Sequence, residues 1–277
     1  MNMKRREFLK TSLTVSTLAG LGTASLGVSA AEQSGTAQEY YELRAYHLKS
    51  GASHEVLDTY LEKVAIPFLN RAGSTPIGVF AQQERNGAPG PTEIRDSSTV
   101  LVLIPYASAE AFAKNSIAFN AEIEGQKGPG EYLQAGKDKP AFERIDSWLM
   151  LAFAGMPRVE LPAYSKEKKP RMFELRTYES HSEAKGLKKV EMFNSGEIQT
   201  MREVGLGPIF YGQALVGANL PHLAYMLSAE DQEAHKKHWD SFGKHPVWNK
   251  LKNDPQYADT VSKINNRFLV PTGYSQI

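Results

Sequence analysis

The chain predicts an α+β fold made of two tandem ferredoxin-like units, each a split βαβ arrangement. Three observations carry that prediction. The run Tyr40-Tyr41-Glu42-Leu43-Arg44-Ala45-Tyr46 returns as Met172-Phe173-Glu174-Leu175-Arg176-Thr177-Tyr178, 132 residues later (172 less 40). That period is too long for a solenoid, whose units run about 20–50 residues. After each copy the apolar residues change from alternation to helical spacing, and each half then follows the order strand, helix, strand, strand, helix, strand.

Residues 1–30 read as a twin-arginine export signal. Arg5 and Arg6 precede Phe8 and Leu9, an uncharged stretch runs from Thr11 to Val28, and Val28-Ser29-Ala30 offers small residues for cleavage. The stretch is short and polar for a span of ~20 apolar residues. No permanent membrane span is therefore expected after cleavage, and a periplasmic or extracellular protein is. Retention of the segment as an anchor is the alternative. The chain has no cysteine, which excludes a lipidated cysteine, disulfides, thiolate-held clusters and a cysteine nucleophile. Cleavage would lower the formal charge of +1 by three, to −2, and that argues against a nucleic-acid partner.

Residues 31–39 form a polar leader, and the first unit spans 40–156. Tyr40 to Leu48 alternates like a strand. From Ser53 the residues Val56, Leu57, Tyr60, Leu61, Val64, Ala65 and Phe68 fall on one helical stripe, with a kink expected at Pro67. Pro76 to Gln82 is a strand, Asn86 to Pro91 a loop, Thr99 to Ile104 a strand and Ser108 to Phe119 a helix. Gly125 to Gly136 reads as irregular, and Ile145 to Phe153 closes the unit as a strand. Residues 157–170 form a linker, and the second unit spans 171–277. Its strands are expected at Arg171 to Tyr178, Pro208 to Leu215, His222 to Leu227 and Ile264 to Val270. Its helices are expected at Gly186 to Val204 and from Ser228 to about Phe242.

The aromatic-Glu-Leu-Arg-Thr-Tyr opening resembles the NIPSNAP family. So does Leu223-Ala224-Tyr225-Met226-Leu227-Ser228 leading to Trp239, Phe242, Pro246 and Trp248. The second unit carries the likeness well. The first carries it more loosely, lacking the two tryptophans. The resemblance implies a dimeric α+β barrel, here intramolecular, with two ferredoxin-like sheets facing each other. It implies no agreed catalytic set.

Alternation sets Tyr41, Leu43 and Ala45, with Phe173, Leu175 and Thr177, on one face, expected to pack under helices. Glu42, Arg44, Tyr46, Glu174, Arg176 and Tyr178 are then expected in the shared barrel interior. Two readings of these six stay open. They form a structural network of buried ion pairs, with Arg44 neutralising one glutamate and Arg176 the other. Or they line a ligand site in which arginine holds a small anionic or polar molecule. No cofactor and no metal is expected. His235 and His238 share one helix arc without an evident third ligand. The related haem-degrading monooxygenases use a helix histidine beside an asparagine, but the opening strands here offer Glu, Arg and Thr. There is no Gly-x-Ser-x-Gly elbow, and Gly128-Pro129-Gly130 and Gly205-Leu206-Gly207 read as turns. The expected function is small-molecule binding or a part in an assembly, including a homo-oligomer. A cofactor-free or haem-dependent monooxygenase and a purely structural interaction module are the alternatives.

Overall fold

The computed structural model describes residues 37–49, 52–83, 98–125 and 130–277. The export segment, most of the leader and the turn at 86–91 lie outside the described residues. The repeated run forms β1 (Tyr40–His47). Helix α1 (Glu55–Tyr60) widens into one π-turn (Leu61–Ala65) and resumes as α2 (Ile66–Arg71). Pro67 has no N–H to return to the preceding turn, and the helix widens just ahead of it rather than breaking.

Strands β2 (Gly78–Gln82) and β3 (Thr99–Tyr106), helices α3 (Ala109–Gly125) and α4 (Gly130–Leu133), and β4 (Arg144–Ala152) complete the first half. Helix α4 is a single turn in the stretch expected to be irregular. Helix α5 (Ala163–Lys166) lies in the connecting segment. The second half holds β5 (Met172–Glu179), α6 (Glu183–Met192), a second π-turn (Phe193–Glu197), α7 (Ile198–Glu203), β6 (Pro208–Val216) and β7 (His222–Ala229). Helices α8 (Gln232–Lys244) and α9 (Pro246–Lys252) and strand β8 (Lys263–Pro271) follow. Strand β7 runs past Ser228, where a helix start was expected. Asp231 caps α8 instead, its side chain accepting from the Ala234 N–H. The two π-turns begin at Leu61 and Phe193, again 132 residues apart.

The eight strands close into one antiparallel barrel in the order β1-β3-β2-β8-β5-β7-β6-β4. Each half contributes the same internal order, β4-β1-β3-β2 and β8-β5-β7-β6, joined at β2–β8 and β4–β6. The expected intramolecular barrel is therefore present. The connecting segment is docked on it: the Val159 N–H donates to Glu39 Oε2 at 3.0 Å, and Val159 and Leu161 pack against the interior. Among the described residues no helix is long and apolar enough to cross a membrane.

The assignment of faces is opposite to the one expected. The barrel interior is apolar and draws on both halves, including Tyr41, Leu43, Phe80, Phe173, Leu175 and Phe210. Tyr46 packs with Tyr60, Leu61 and Val64 beneath the first-half helices, and Tyr178 with Phe193 and Phe242 beneath those of the second. Glu42, Arg44, Glu174 and Arg176 share the faces of these tyrosines and meet the helices, not the lumen. Strand alternation separates two faces but does not say which is inner when both are covered. The lumen is lined by apolar side chains from every direction and offers a charge no partner. The sheet–helix layer supplies polar helix side chains, and there Arg44 and Arg176 stay 21% and 18% exposed.

Candidate functional site

Each Glu-Arg pair closes within its own strand, two residues apart, so neither arginine reaches the other half's glutamate. In β1, Arg44 donates from Nε and Nη2 to Glu42 Oε1 and Oε2 at 2.6 and 3.0 Å. Ser147 and Tyr106 hydroxyls donate to the same carboxylate at 2.8 and 3.0 Å. Tyr46 hydrogen-bonds Tyr132, whose ring stacks on Tyr60 with centroids 3.7 Å apart. The first cluster satisfies itself.

The second cluster is built on the same plan and then departs from it. Arg176 Nη1 donates to Glu174 Oε1 at 2.7 Å, and Asn266 Nδ2 donates to that oxygen at 3.2 Å. Asn266 stands opposite Arg176 in the register, as Ser147 stands opposite Arg44. The other oxygen, Oε2, meets His235 Nε2 at 2.9 Å and accepts from the Trp239 indole N–H at 3.0 Å, both side chains coming from α8. Arg176 lies over the Trp239 ring at 4.8 Å and donates to the Tyr178 hydroxyl at 3.3 Å, which is paired with Tyr225. Burial opposes ionisation of Glu174, but the His235 hydrogen bond and the charge of Arg176 outweigh it and hold the carboxyl down at about 2. Of the exposed turn His235-Lys236-Lys237-His238, only His235 is fully buried.

Two further charges belong only to this half. Lys189 Nζ donates to Glu197 Oε2 at 2.8 Å, with side chains 5% and 2% exposed. The ammonium lies 4.5 Å from the Phe193 ring centre and 5.6 Å from that of Trp248. Glu197 ends the second π-turn, in which Gly196 takes φ 139°, a conformation suited to glycine. Burial pushes the Glu197 carboxyl up even beside Lys189. At the 132-residue offset the first half has Leu57 and Ala65, so the fold of this unit does not require the pair. Comparing the two copies position by position is the signal by which the sequence could have exposed it.

Strand β5 and helix α8 carry some of the side-chain atoms that are buried without a partner among the described residues. Arg176 Nε, His235 Nδ1 and His238 Nδ1 are such atoms, whereas the matching Arg44 Nε is bonded. Buried polar atoms of this kind call for an explanation. As an axial haem ligand His235 fits poorly, since Nε2 is committed to Glu174 and the residue is 6% exposed. Among the described residues no three of His, Cys, Asp or Glu come together as a metal-binding group. Two surface clefts, of about 500 and 290 Å³, are lined elsewhere, by residues including Asp58 and Tyr274 in one and Tyr164 and Arg202 in the other.

Residues 173–276 match the model of the NIPSNAP family, which places the match on the second half. The sequence matches no curated protein. Among solved structures, a candidate monooxygenase from Lactobacillus acidophilus NCFM is 10% identical, with 84% of this chain and 94% of that chain covered and a TM-score of 0.55. A candidate monooxygenase from Fusobacterium nucleatum is 12% identical over 85% of this chain and 93% of that one, with a TM-score of 0.49. An uncharacterised NIPSNAP-like domain protein from Burkholderia xenovorans is 20% identical over 38% of this chain and 89% of that one, with a TM-score of 0.34. The first likeness is one of fold.

Proposed function

We propose that the protein binds a small acidic or polar molecule at the sheet–helix layer of its second half, with Arg176 as the principal recognition group. The first half is a diverged NIPSNAP-like copy in which the same position is structural. The observation that carries this reading is the asymmetry between two otherwise matching clusters. Arg44 spends its Nε on Glu42, while Arg176 keeps a buried Nε without a partner, and His235 Nδ1 is likewise unpartnered. A guanidinium held in that state is a donor awaiting an acceptor. On the neighbouring strand β8 the exposed Asn266 stands opposite Arg176 and the exposed Ile264 opposite Tyr178.

The test is a thermal-unfolding screen with small carboxylates, phosphates and phenols, supported by native mass spectrometry. Wild type and Arg44→Met are expected to respond to the same ligand, although Arg44→Met, which leaves Glu42 uncompensated, should cost about 3 kcal/mol of stability. Arg176→Met should lose the response. A response that survives Arg176→Met, or disappears only in Arg44→Met, would place the site wrongly. The reaction alternative, a monooxygenase, draws support from the name of one similarly folded protein.

Export is part of the same proposal, because Arg5 and Arg6 precede an uncharged stretch and a small-residue cleavage pattern. Replacing both arginines by lysine should leave the protein inside the producing cell, with the signal uncleaved. Normal extracytoplasmic protein from that variant, read by fractionation and N-terminal mass, would remove the twin-arginine assignment.

A further inference from the structure

We propose that the open edge of β4 pairs two copies of this chain, with Ile145 laid against the partner's Ile145 about a twofold axis. Strand β4 is laddered to β1 along its length but to β6 only from Leu149 onward. In an antiparallel sheet the backbone polar groups of successive residues point to opposite edges. The Phe153 N–H donates to the Tyr211 carbonyl at the start of the β6 ladder, so the odd-numbered residues of β4 address that edge. Ile145 does so beyond the end of β6. The end of β6 has a local cause. Gly217 takes φ 139°, and a Cβ on it would stand 2.4 Å from Trp148 Cδ1 and 3.4 Å from the Ser147 carbonyl oxygen. The chain turns out of the sheet there, against Trp148 and Ser147. Leu215, Val216 and Leu220 around this turn are exposed, as are Arg144, Ile145 and Asp146 on the edge itself. An unpaired edge flanked by uncovered large apolar side chains is a template for another strand.

Charge decides which strand. Charged side chains on an edge commonly repel a second copy. Here the two charges, Arg144 and Asp146, have opposite signs two residues apart, and an antiparallel copy reverses their order. With the axis at Ile145, Arg144 faces the partner's Asp146 and Asp146 faces the partner's Arg144. Both are non-hydrogen-bonded pairs, in which side chains stand closest. The Ile145 N–H donates to the carbonyl of the partner's Ile145 and its own carbonyl accepts in return. An axis at Asp146 would set two carboxylates face to face. An axis at Ser147 would lay Ile145 against the partner's Leu149, whose edge is already filled by β6. Asp146 accepts from Arg144 Nε of its own chain at 3.0 Å and lies 2.8 Å from His47 Nε2. A carboxylate has lone pairs left for a third donor.

The experiment is sedimentation velocity of the whole protein over a range of concentrations, with circular dichroism confirming that each variant is folded. Wild type should pass from monomer to dimer as concentration rises. Arg144→Asp and Asp146→Arg each put like charges into both pairs and should raise the dimer dissociation constant about tenfold. The double swap restores opposite signs and should return the constant close to that of wild type. A cross-link fixes the register. The chain has no cysteine, so Arg144→Cys mixed with Asp146→Cys gives one thiol per chain. In the mixed dimer the two thiols share one pair, with Cα atoms about 4.5 Å apart, inside the range that a disulfide spans. The other pair stays Arg with Asp. Mild oxidation should link the mixture into a dimer and leave each variant by itself largely unlinked. A wild type that stays monomeric at every concentration would overturn the proposal. So would a double swap no better than the single ones, or a cross-link that forms as readily in either variant alone.

Discussion

Lys189→Met alone is expected to destabilise the protein by about 3–5 kcal/mol, the cost of leaving one member of a buried ion pair uncompensated. Glu197 is 2% exposed at its side chain and has no other cation bonded to it among the described residues. Its carboxyl is already pushed up by burial. With the ammonium gone, folding requires either a buried charge or a proton taken from solvent. Glu197→Gln should cost less, because an amide still accepts from Lys189. The double change Lys189→Met with Glu197→Leu is expected to recover most of the loss, and the reason lies in the other half. There, Leu57 on α1 and Ala65 at the end of the matching π-turn occupy the corresponding positions, so an apolar filling satisfies this architecture. Urea unfolding of the three variants measures the coupling. If the double variant is as unstable as Lys189→Met, the pair contributes something that packing cannot replace.

The second large effect is a dependence on pH that traces to one carboxyl. Glu174 has its pKa lowered from the usual 4.5 to about 2. A depressed carboxyl contributes stability that is fully present above its unfolded pKa and is lost as pH falls through the folded one. The window is therefore about pH 4.5 down to 2, and the contribution at neutral pH is on the order of 3 kcal/mol. Between pH 7 and pH 3 the wild type should lose about 2 kcal/mol more stability than Glu174→Gln, the difference between the two curves cancelling the other carboxylates. Equal slopes for wild type and variant would mean that His235 and Arg176 do not hold this charge in the folded state.

Much of the fold was legible in the residues. The 132-residue recurrence, the alternation of Tyr40 to Tyr46 and the helical stripe from Val56 to Phe68 identify two units of the same order, because local spacing records which side chains are covered. Pro67 marked where the first-half helix leaves regular geometry, as a widening and not a kink, but the matching π-turn of the second half has Gln199 at that position, so the proline alone does not set it. The break before α8 was misplaced because Ser228 is as good a cap by type as Asp231, and the strand pairing to Met172–Glu179 decides how far β7 runs.

The six Glu, Arg and Tyr positions were also legible as a polar set, but their destination was not. Both faces of β1 and β5 are covered, and two covered faces look alike in a period of two. Only closure of the eight strands shows that Tyr41, Leu43, Phe173 and Leu175 fill a lumen from which charge is excluded, and that Glu42 and Glu174 lie under helices. The partners of Glu174 come from residues 61, 65 and 92 positions away along the chain. No local pattern encodes a contact of that range. The sequence by itself determined two related units and the residues that would have to be neutralised. The tertiary structure alone decided which face they occupy, which charge each one meets, and that one of two matching arginines keeps a donor in reserve, because those outcomes depend on what the opposing helix brings to the same point in space.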